Sequence, residues 1–239
     1  MLRLLLTCEH GGNTVPPAYE ALFNGQEDIL QTHRGYDIGA LDLYQSLRPV
    51  ADVGFYSETT RLLVELNRSI GHPKLFSEFS SMLPEKDRQR LLRQHYLPYR
   101  EEVEQMVQDF VSAGRQVLHL SVHTFTPVLD GEERQADIGL LYDPKRKQER
   151  AFSREWKAAL LRQDKKLLVR FNYPYLGIAD GLTSYMRRKF TADQYVGIEL
   201  EVNQKYQEHH PERWHQLKQL LSDTLKVLLL EKQEEFSSS

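Results

Sequence analysis

At 239 residues, with 40% hydrophobic side chains, the chain is long enough for one α/β domain with a substantial core. A formal net charge of -3 gives no indication of a general nucleic-acid or membrane-surface binder, and no apolar run is long enough to span a membrane. The single cysteine, Cys8, excludes an intrachain disulfide framework and a cysteine-rich zinc site.

The beginning of the chain predicts a cytoplasmic protein. Met1 leads directly into an apolar run, which leaves no room for a signal peptide. A lone cysteine also fits a reducing compartment. We expect one domain over residues 1–232 and a flexible tail over residues 233–239, with the oligomeric state left open.

Strands and helices alternate along the sequence. Their order predicts a single-domain, three-layer α/β/α fold with a mostly parallel mixed sheet. The predicted strands are the apolar run from Leu2 to Cys8, then 52–57, 61–66, 117–122, 138–142, 167–171 and 195–202. The predicted helices are 17–23, 27–32, 37–48, 85–111 with a break at Pro98, 148–162, 184–190 and 214–230. Residues 172–181, rich in proline and glycine, predict a functional loop.

Four polar residues stand at the ends of predicted strands or the start of a helix: His10, Asp37, His123 and Glu199. In open α/β sheets, ligands bind beyond the carboxyl ends of the strands. Imidazole and carboxylate groups suit zinc and similar divalent metals, and a catalytic zinc takes three protein ligands. A further carboxylate is then needed as a proton acceptor.

Each of these residues also has a simpler interpretation. A histidine at a strand end is often a hydrogen-bonded core residue, and His119 on the same strand face as His123 could lie behind it. Asp37 could be a helix N-cap. Glu199 is costly to bury without a partner, but Glu201 points to the same side and either could face inward.

A second group consists of Arg61, Asn67 and Arg68, in or after the predicted strand 61–66. The guanidinium fork of an arginine suits a substrate carboxylate. A surface ion pair with one of the 34 acidic residues is the alternative for a single arginine.

The order of these motifs resembles that of the N-formylglutamate amidohydrolase family, which is similar to zinc carboxypeptidases and aspartoacylases. The resemblance runs from the first strand to strand 195–202, nearly the whole chain. The motifs that carry it are Cys8-Glu9-His10-Gly11-Gly12-Asn13, Tyr36-Asp37-Ile38-Gly39-Ala40, Leu66-Asn67-Arg68, Ser121-Val122-His123-Thr124-Phe125-Thr126 and Ile198-Glu199-Leu200.

This resemblance implies a zinc-carboxypeptidase-like fold and a divalent metal, expected to be Zn²⁺, held by His10, Asp37 and His123. It implies Glu199 as the catalytic carboxylate, and Asn67 and Arg68 as groups that bind a small anionic substrate. We expect Arg61, the third member of the second group, to contribute to the same substrate site. The carboxypeptidases have His-x-x-Glu at the first site, whereas this chain has Asn13 in place of the acid. Asp37 is therefore assigned as the third ligand, with Glu9 as the alternative.

The expected activity is hydrolysis of the amide bond of a small N-acyl amino acid such as N-formylglutamate, which would fit histidine degradation. One alternative is a peptidoglycan-type amidase or carboxypeptidase, which the expected absence of a signal peptide disfavours. Another is a non-catalytic metal-binding protein of the same fold, which an intact Glu199 disfavours.

Overall fold

A six-stranded sheet forms the centre of residues 1–237, the part of the chain that the computed structural model describes. The strands are β1 (Leu2–Cys8), β2 (Val53–Tyr56), β3 (Gln116–Phe125), β4 (Val128–Leu129), β5 (Glu132–Glu133), β6 (Ile138–Leu141), β7 (Val169–Phe171) and β8 (Tyr195–Asn203). The order in the sheet is β2-β1-β3-β8-β6-β7, and all neighbours run parallel except β6 and β8, which confirms the predicted mixed sheet. A two-stranded hairpin, β4 and β5, turns at Asp130 and Gly131, both with positive φ.

Helices cover both faces of this sheet, so the predicted three-layer arrangement is confirmed. The helices are α1 (Ala40–Leu47), α2 (Glu85–Leu91), α3 (Leu97–Ser112), α4 (Lys147–Gln163), α5 (Leu182–Lys189), α6 (Lys205–His209) and α7 (Pro211–Ser237). Successive side chains of a strand point to opposite faces. Leu4 and Leu6 accordingly pack in the core under α1, α4 and α7, whereas Leu5 packs with residues of α3 and α5 on the other face.

The parallel neighbours β1, β3 and β8 bring their carboxyl ends to one edge of the sheet. Ser121 of β3 is in register with Glu199 of β8, and His123 is in register with Glu201. Thr7 of β1 is in register with Ser121, so Glu9 and His10 emerge beside the end of β3. This edge therefore collects the polar residues that the sequence analysis singled out.

The predicted strand 61–66 is wrong. The segment forms consecutive turns, in which the N–H of Leu63 donates to Thr60 O at 3.0 Å and that of Arg68 donates to Glu65 O at 3.1 Å. Leu63, Val64 and Leu66 are buried in a cluster outside the sheet that also contains Leu91 of α2, and Leu62 is buried in a second small cluster beside it. Burial outside the sheet thus explains an apolar run that periodicity alone assigned to a strand.

The predicted helix 85–111 is divided. One π-helical turn, Leu92–Tyr96, separates α2 from α3. Pro98, which has no N–H to donate, is the second residue of α3 and directly follows this π-helical turn. The last helix, α7, ends at Ser237 and so includes residues 233–237 of the predicted flexible tail. Residues 238 and 239 of that tail lie outside the described residues. No helix within residues 1–237 has the length and apolar character needed to cross a membrane.

Candidate active site

His10, Asp37 and His123 converge at the carboxyl edge of the sheet. His10 follows β1, Asp37 precedes α1, and His123 lies near the end of β3. Each offers a ligand atom, and these atoms all lie within 4.8 Å of one another. All three residues are buried, with exposed fractions of 3%, 6% and 3%. The three predicted ligands are thus neighbours, although they are separated by up to 113 positions in the chain.

The carboxylate of Asp37 stands between the two imidazoles. Its Oδ2 lies 3.2 Å from His10 Nδ1 and 2.9 Å from His123 Nδ1. The alternative of a helix N-cap is not realised, because α1 starts after Gly39 and has no side-chain capping hydrogen bond. A backbone hydrogen bond of 3.0 Å from the N–H of Asp37 to His10 O fixes the loop beside the first histidine.

Each histidine has a second carboxylate on its other ring nitrogen. His10 Nε2 contacts Glu65 Oε1, and His123 Nε2 lies 3.1 Å from Glu9 Oε2. Glu9 also accepts from Ser121 Oγ at 2.7 Å and from Tyr99 OH at 3.3 Å. Glu9 therefore lies behind His123 and is not among the three converging ligands, which favours Asp37 over the alternative third ligand.

In this cluster the negative charge of Asp37 and the positive charges of His10 and His123 stabilise one another. Burial opposes ionisation of Asp37, but His10, His123 and Arg61 outweigh it and hold the pKa of that carboxyl well below its usual range. Burial lowers the pKa of His123, but the hydrogen bonds to Asp37 and Glu9 raise it further than burial lowers it. The pKa of His10 is raised in the same way by Glu65 and Asp37, against burial and Arg61.

The donor set fits a divalent metal. Two imidazole nitrogens and one carboxylate oxygen form an N₂O set of the kind that catalytic zinc sites use. Both histidines have their Nδ1 towards Asp37 and their Nε2 towards a separate carboxylate. Such an outer carboxylate fixes the ring orientation of a metal-binding histidine and increases its basicity. His10, Asp37 and His123 would hold the ion, with Glu65 and Glu9 behind the rings.

Sequence reasoning missed Glu65, and the structure gives it a central place. Glu65 is 6% exposed and accepts two hydrogen bonds from Arg61, at 2.8 and 2.5 Å, besides its contact with His10. Arg61 also donates to Asp37 Oδ1 at 3.0 Å. A usable signal was present, because a carboxylate in the apolar stretch Leu63-Val64-Glu65-Leu66 needs a partner if it is buried.

Asn67 and Arg68 lie on the turn that follows Glu65. Asn67 Oδ1 accepts from the N–H of Leu182 at 2.6 Å, and its Nδ2 is 3.5 Å from His123 Nε2. Arg68 uses one terminal nitrogen, Nη1, to donate to Asn67 O at 3.0 Å and Asp180 O at 2.5 Å. Both residues line the same cavity as the histidines, so the predicted second group is adjacent to the predicted metal ligands.

Glu199 and Glu201 both line this cavity but in different surroundings. Glu199 is half-buried, and its Oε1 accepts from Thr183 Oγ1 at 2.5 Å. Glu201 is 5% exposed, and its Oε2 has no hydrogen-bond partner among the described residues. Burial raises the pKa of Glu201 to about 8.

The cavity has a volume of about 360 Å³. Its floor is formed by the buried polar residues of the lining: His10, Asp37, Glu65, Asn67, His123 and Glu201. Lys74 and Asp180 add charged groups that are more exposed to solvent. Four further residues contribute the apolar part of the wall, and the last three of them belong to the predicted functional loop 172–181: Leu129, Tyr175, Leu176 and Ala179.

Comparisons with known proteins identify the family of this chain and agree with its fold. The family model described as N-formylglutamate amidohydrolase matches residues 2–207. Among solved structures, a gene product of Agrobacterium tumefaciens is similar with a TM-score of 0.76 and 26% identity, covering 94% of this chain and 91% of that one. The N-formylglutamate amidohydrolase of Ralstonia eutropha JMP134 shares the fold, with a TM-score of 0.70, 16% identity and coverage of 98% and 95%. No curated protein sequence gives a significant match. The extent of the family match shows that this chain belongs to the N-formylglutamate amidohydrolase family and is an amidohydrolase.

Proposed function

We propose that this protein is a metal-dependent hydrolase that cleaves the amide bond of a small N-acyl amino acid, of which N-formylglutamate is an example. The observation that carries the proposal is the buried group of His10, Asp37 and His123 at the floor of the cavity. When bound there, a divalent metal, with Zn²⁺ the first candidate, supplies Lewis-acid polarisation of the scissile carbonyl and activates water.

The guanidinium of Arg68 anchors the carboxylate of the substrate. Its hydrogen bonds to backbone oxygens use Nη1, whereas Nε and Nη2 have no hydrogen-bond partner among residues 1–237 and can make a bidentate contact with a carboxylate. Asn67 holds the turn that presents Arg68, through its hydrogen bond with the N–H of Leu182. A fixed anchor places the amide bond over the floor of the cavity and so reduces the entropic cost of reaction.

Arg61 was predicted to contact the substrate directly, but we propose a supporting role for it. It donates to Glu65 and Asp37, so its charge stabilises the two carboxylates that flank His10. A substrate contact from its half-exposed side remains a prediction.

A carboxylate on β8 accepts the proton from the attacking water and later delivers it to the leaving amine. Sequence analysis predicted Glu199 for this step. Support for Glu201 comes from its position in register with His123 and from its buried, unpartnered Oε2. Burial raises the pKa of Glu201 to about 8, and a cation bound nearby would lower it towards neutral pH. A pKa close to the working pH suits a general base. We therefore propose Glu201 as the proton acceptor and keep Glu199 as the alternative.

Hydrolysis of formyl- and acetyl-amino acids by the purified protein, with and without exhaustive chelation, tests this function. We expect turnover of at least one N-acyl amino acid, its loss on chelation, and its return when zinc is added. Turnover that continues after verified metal removal would contradict the metal-dependent mechanism. Metal binding without hydrolysis of any member of the set would favour the non-catalytic alternative.

A further inference from the structure

Three large apolar side chains are exposed on the loop between β7 and α5. Tyr175, Leu176 and Ile178 are 47%, 60% and 61% exposed. These side chains stay in solvent when the chain folds, so they add little buried apolar surface to the hydrophobic core. Exposed apolar groups that cluster beside a cavity indicate a binding surface.

The backbone of this loop is held in place at its start. Asn172 Oδ1 accepts from the N–H groups of Tyr142 and Gly177, each at 3.0 Å. Gly177 itself is buried, and a Cβ there would lie 2.1 Å from the backbone nitrogen of Tyr142. The loop is therefore packed tightly against the end of β6.

Hydrogen bonds from α5 hold the second half of the loop. Arg187 Nη1 donates to Gly177 O at 2.5 Å, and Ser184 Oγ donates to Ala179 O at 2.6 Å. Glu149 pairs with Arg187 at 2.9 Å and fixes the guanidinium from the other side. The exposed side chains thus project from a well-supported segment.

Arg134 orients the ring of Tyr175. Its Nη1 donates to Tyr175 OH at 3.2 Å, and its guanidinium carbon lies 5.1 Å from the ring centroid. The same guanidinium is 5.9 Å from the ring centroid of Phe125, at the end of β3. The aromatic ring is consequently connected to the strand that carries His123.

Two of the three exposed side chains belong to the cavity. Tyr175 and Leu176 line it together with Leu129 of the β4–β5 hairpin, whereas Ile178 does not line it. The apolar surface is therefore continuous with the floor that carries His10, Asp37 and His123. A formyl group on a small polar amino acid would leave this wall in contact with water.

We propose that Leu129, Tyr175 and Leu176 bind an apolar substituent of the substrate, an alkyl or aromatic group on its acyl or its amino-acid part. The inference rests on the proposed function, because it concerns the substrate of the same site. The polar anchor at Arg68 and the apolar wall together define an amphipathic N-acyl amino acid as the substrate class. Contact with one such side chain in a partly open wall is worth about tenfold in kcat/KM.

The test compares kcat/KM of the metal-loaded enzyme for four substrates. N-formylglycine lacks an apolar substituent, N-formylleucine carries one on the amino-acid part, N-hexanoylglycine carries one on the acyl part, and N-formylglutamate carries a second carboxylate. We expect one of the two apolar substrates to exceed N-formylglycine by about tenfold. Whichever does so identifies the part of the substrate that faces the wall.

Leu176→Ser and Ile178→Ser form a matched pair of variants, since the two side chains are equally exposed on the same loop and only Leu176 lines the cavity. Leu176→Ser should reduce the preference for the apolar substrate over N-formylglycine to near unity, and Ile178→Ser should leave it unchanged. Equal effects of the two variants would overturn the inference.

The outcomes separate this inference from the proposed function. Hydrolysis of N-formylglycine with no gain from either apolar group, or a preference for N-formylglutamate over both, would overturn the inference alone. Failure to hydrolyse any of the four substrates with metal bound would overturn the proposed function and the inference with it.

Discussion

Replacement of Glu201 by glutamine tests the proposed proton acceptor. The change keeps the shape of the side chain and removes its capacity to take a proton. A positioned general base contributes about 10²–10⁴-fold to the rate. At 1.36 kcal/mol for each factor of ten, the expected loss is about 2.7–5.4 kcal/mol of transition-state stabilisation.

The effect of this substitution on folding should be small. Burial raises the pKa of Glu201 to about 8, so the metal-free protein holds the carboxyl mostly neutral at pH 7. A neutral amide of the same size then replaces a neutral acid, and its Oε2 had no hydrogen-bond partner among the described residues. The change in the free energy of unfolding should be within about 1 kcal/mol.

Glu199→Gln is the matched variant on the same strand face. Its amide oxygen can still accept from Thr183 Oγ1, so the contact that positions the side chain is retained. The assay is kcat and KM for an N-formyl amino acid, with metal content and the unfolding midpoint measured on the same preparations. A large kcat loss in Glu199→Gln, with nearly full activity in Glu201→Gln, would refute the assignment to Glu201 and identify Glu199 as the proton acceptor.

Three further predictions concern groups around the reaction centre. Arg68→Ala should cost about 1.5–3 kcal/mol in kcat/KM on carboxylate substrates with metal content unchanged, and Arg68→Lys should restore it only in part; equal losses on a neutral analogue would indicate a folding role. Glu65→Gln should weaken metal affinity by about 10–100-fold, measured by competition with a chelator, because it removes the carboxylate behind His10; unchanged affinity would contradict that role. Burial lowers the pKa of His119 to about 4, from about 6.5 in the unfolded chain. Between these two pH values the unfolded chain binds an extra proton, so the free energy of unfolding is highest above about pH 6.5 and decreases as the pH falls towards 4. Urea titrations at pH 4 to 7 should show a decrease of about 3 kcal/mol in the free energy of unfolding of the wild-type protein that is absent from His119→Gln. The same pH dependence in both proteins would refute this role of His119.

The sequence was most informative where function follows from sheet topology. His10 and His123 each follow an apolar run that forms a parallel strand, and parallel strands in one sheet deliver their carboxyl ends to the same edge. Chemistry-bearing residues at strand ends could therefore be predicted to meet. Asp37 needed the motif order as well, because an aspartate before a helix is equally typical of a cap.

The outer contacts of the site could not be predicted in the same way. Glu65 contacts His10 because the segment 61–66 forms turns whose apolar side chains are buried outside the sheet. The apolar pattern of this segment did not distinguish these turns from a strand. The choice between Glu199 and Glu201 likewise depends on what α5 brings to β8, since Thr183 satisfies one carboxylate and leaves the other unpartnered. Such differences arise from tertiary contacts, which alternation along a strand does not encode.

Metal analysis joined to an activity assay tests whether His10, Asp37 and His123 hold a metal that amide hydrolysis requires. Purified protein should contain a divalent ion, lose both ion and activity on chelation, and recover both with zinc. His123→Ala should stay folded, bind little metal and lack activity, because it removes one of the three proposed ligands. Full activity of the wild-type protein after the ion has been removed, or of His123→Ala with normal metal content, would show that these residues do not hold a required metal.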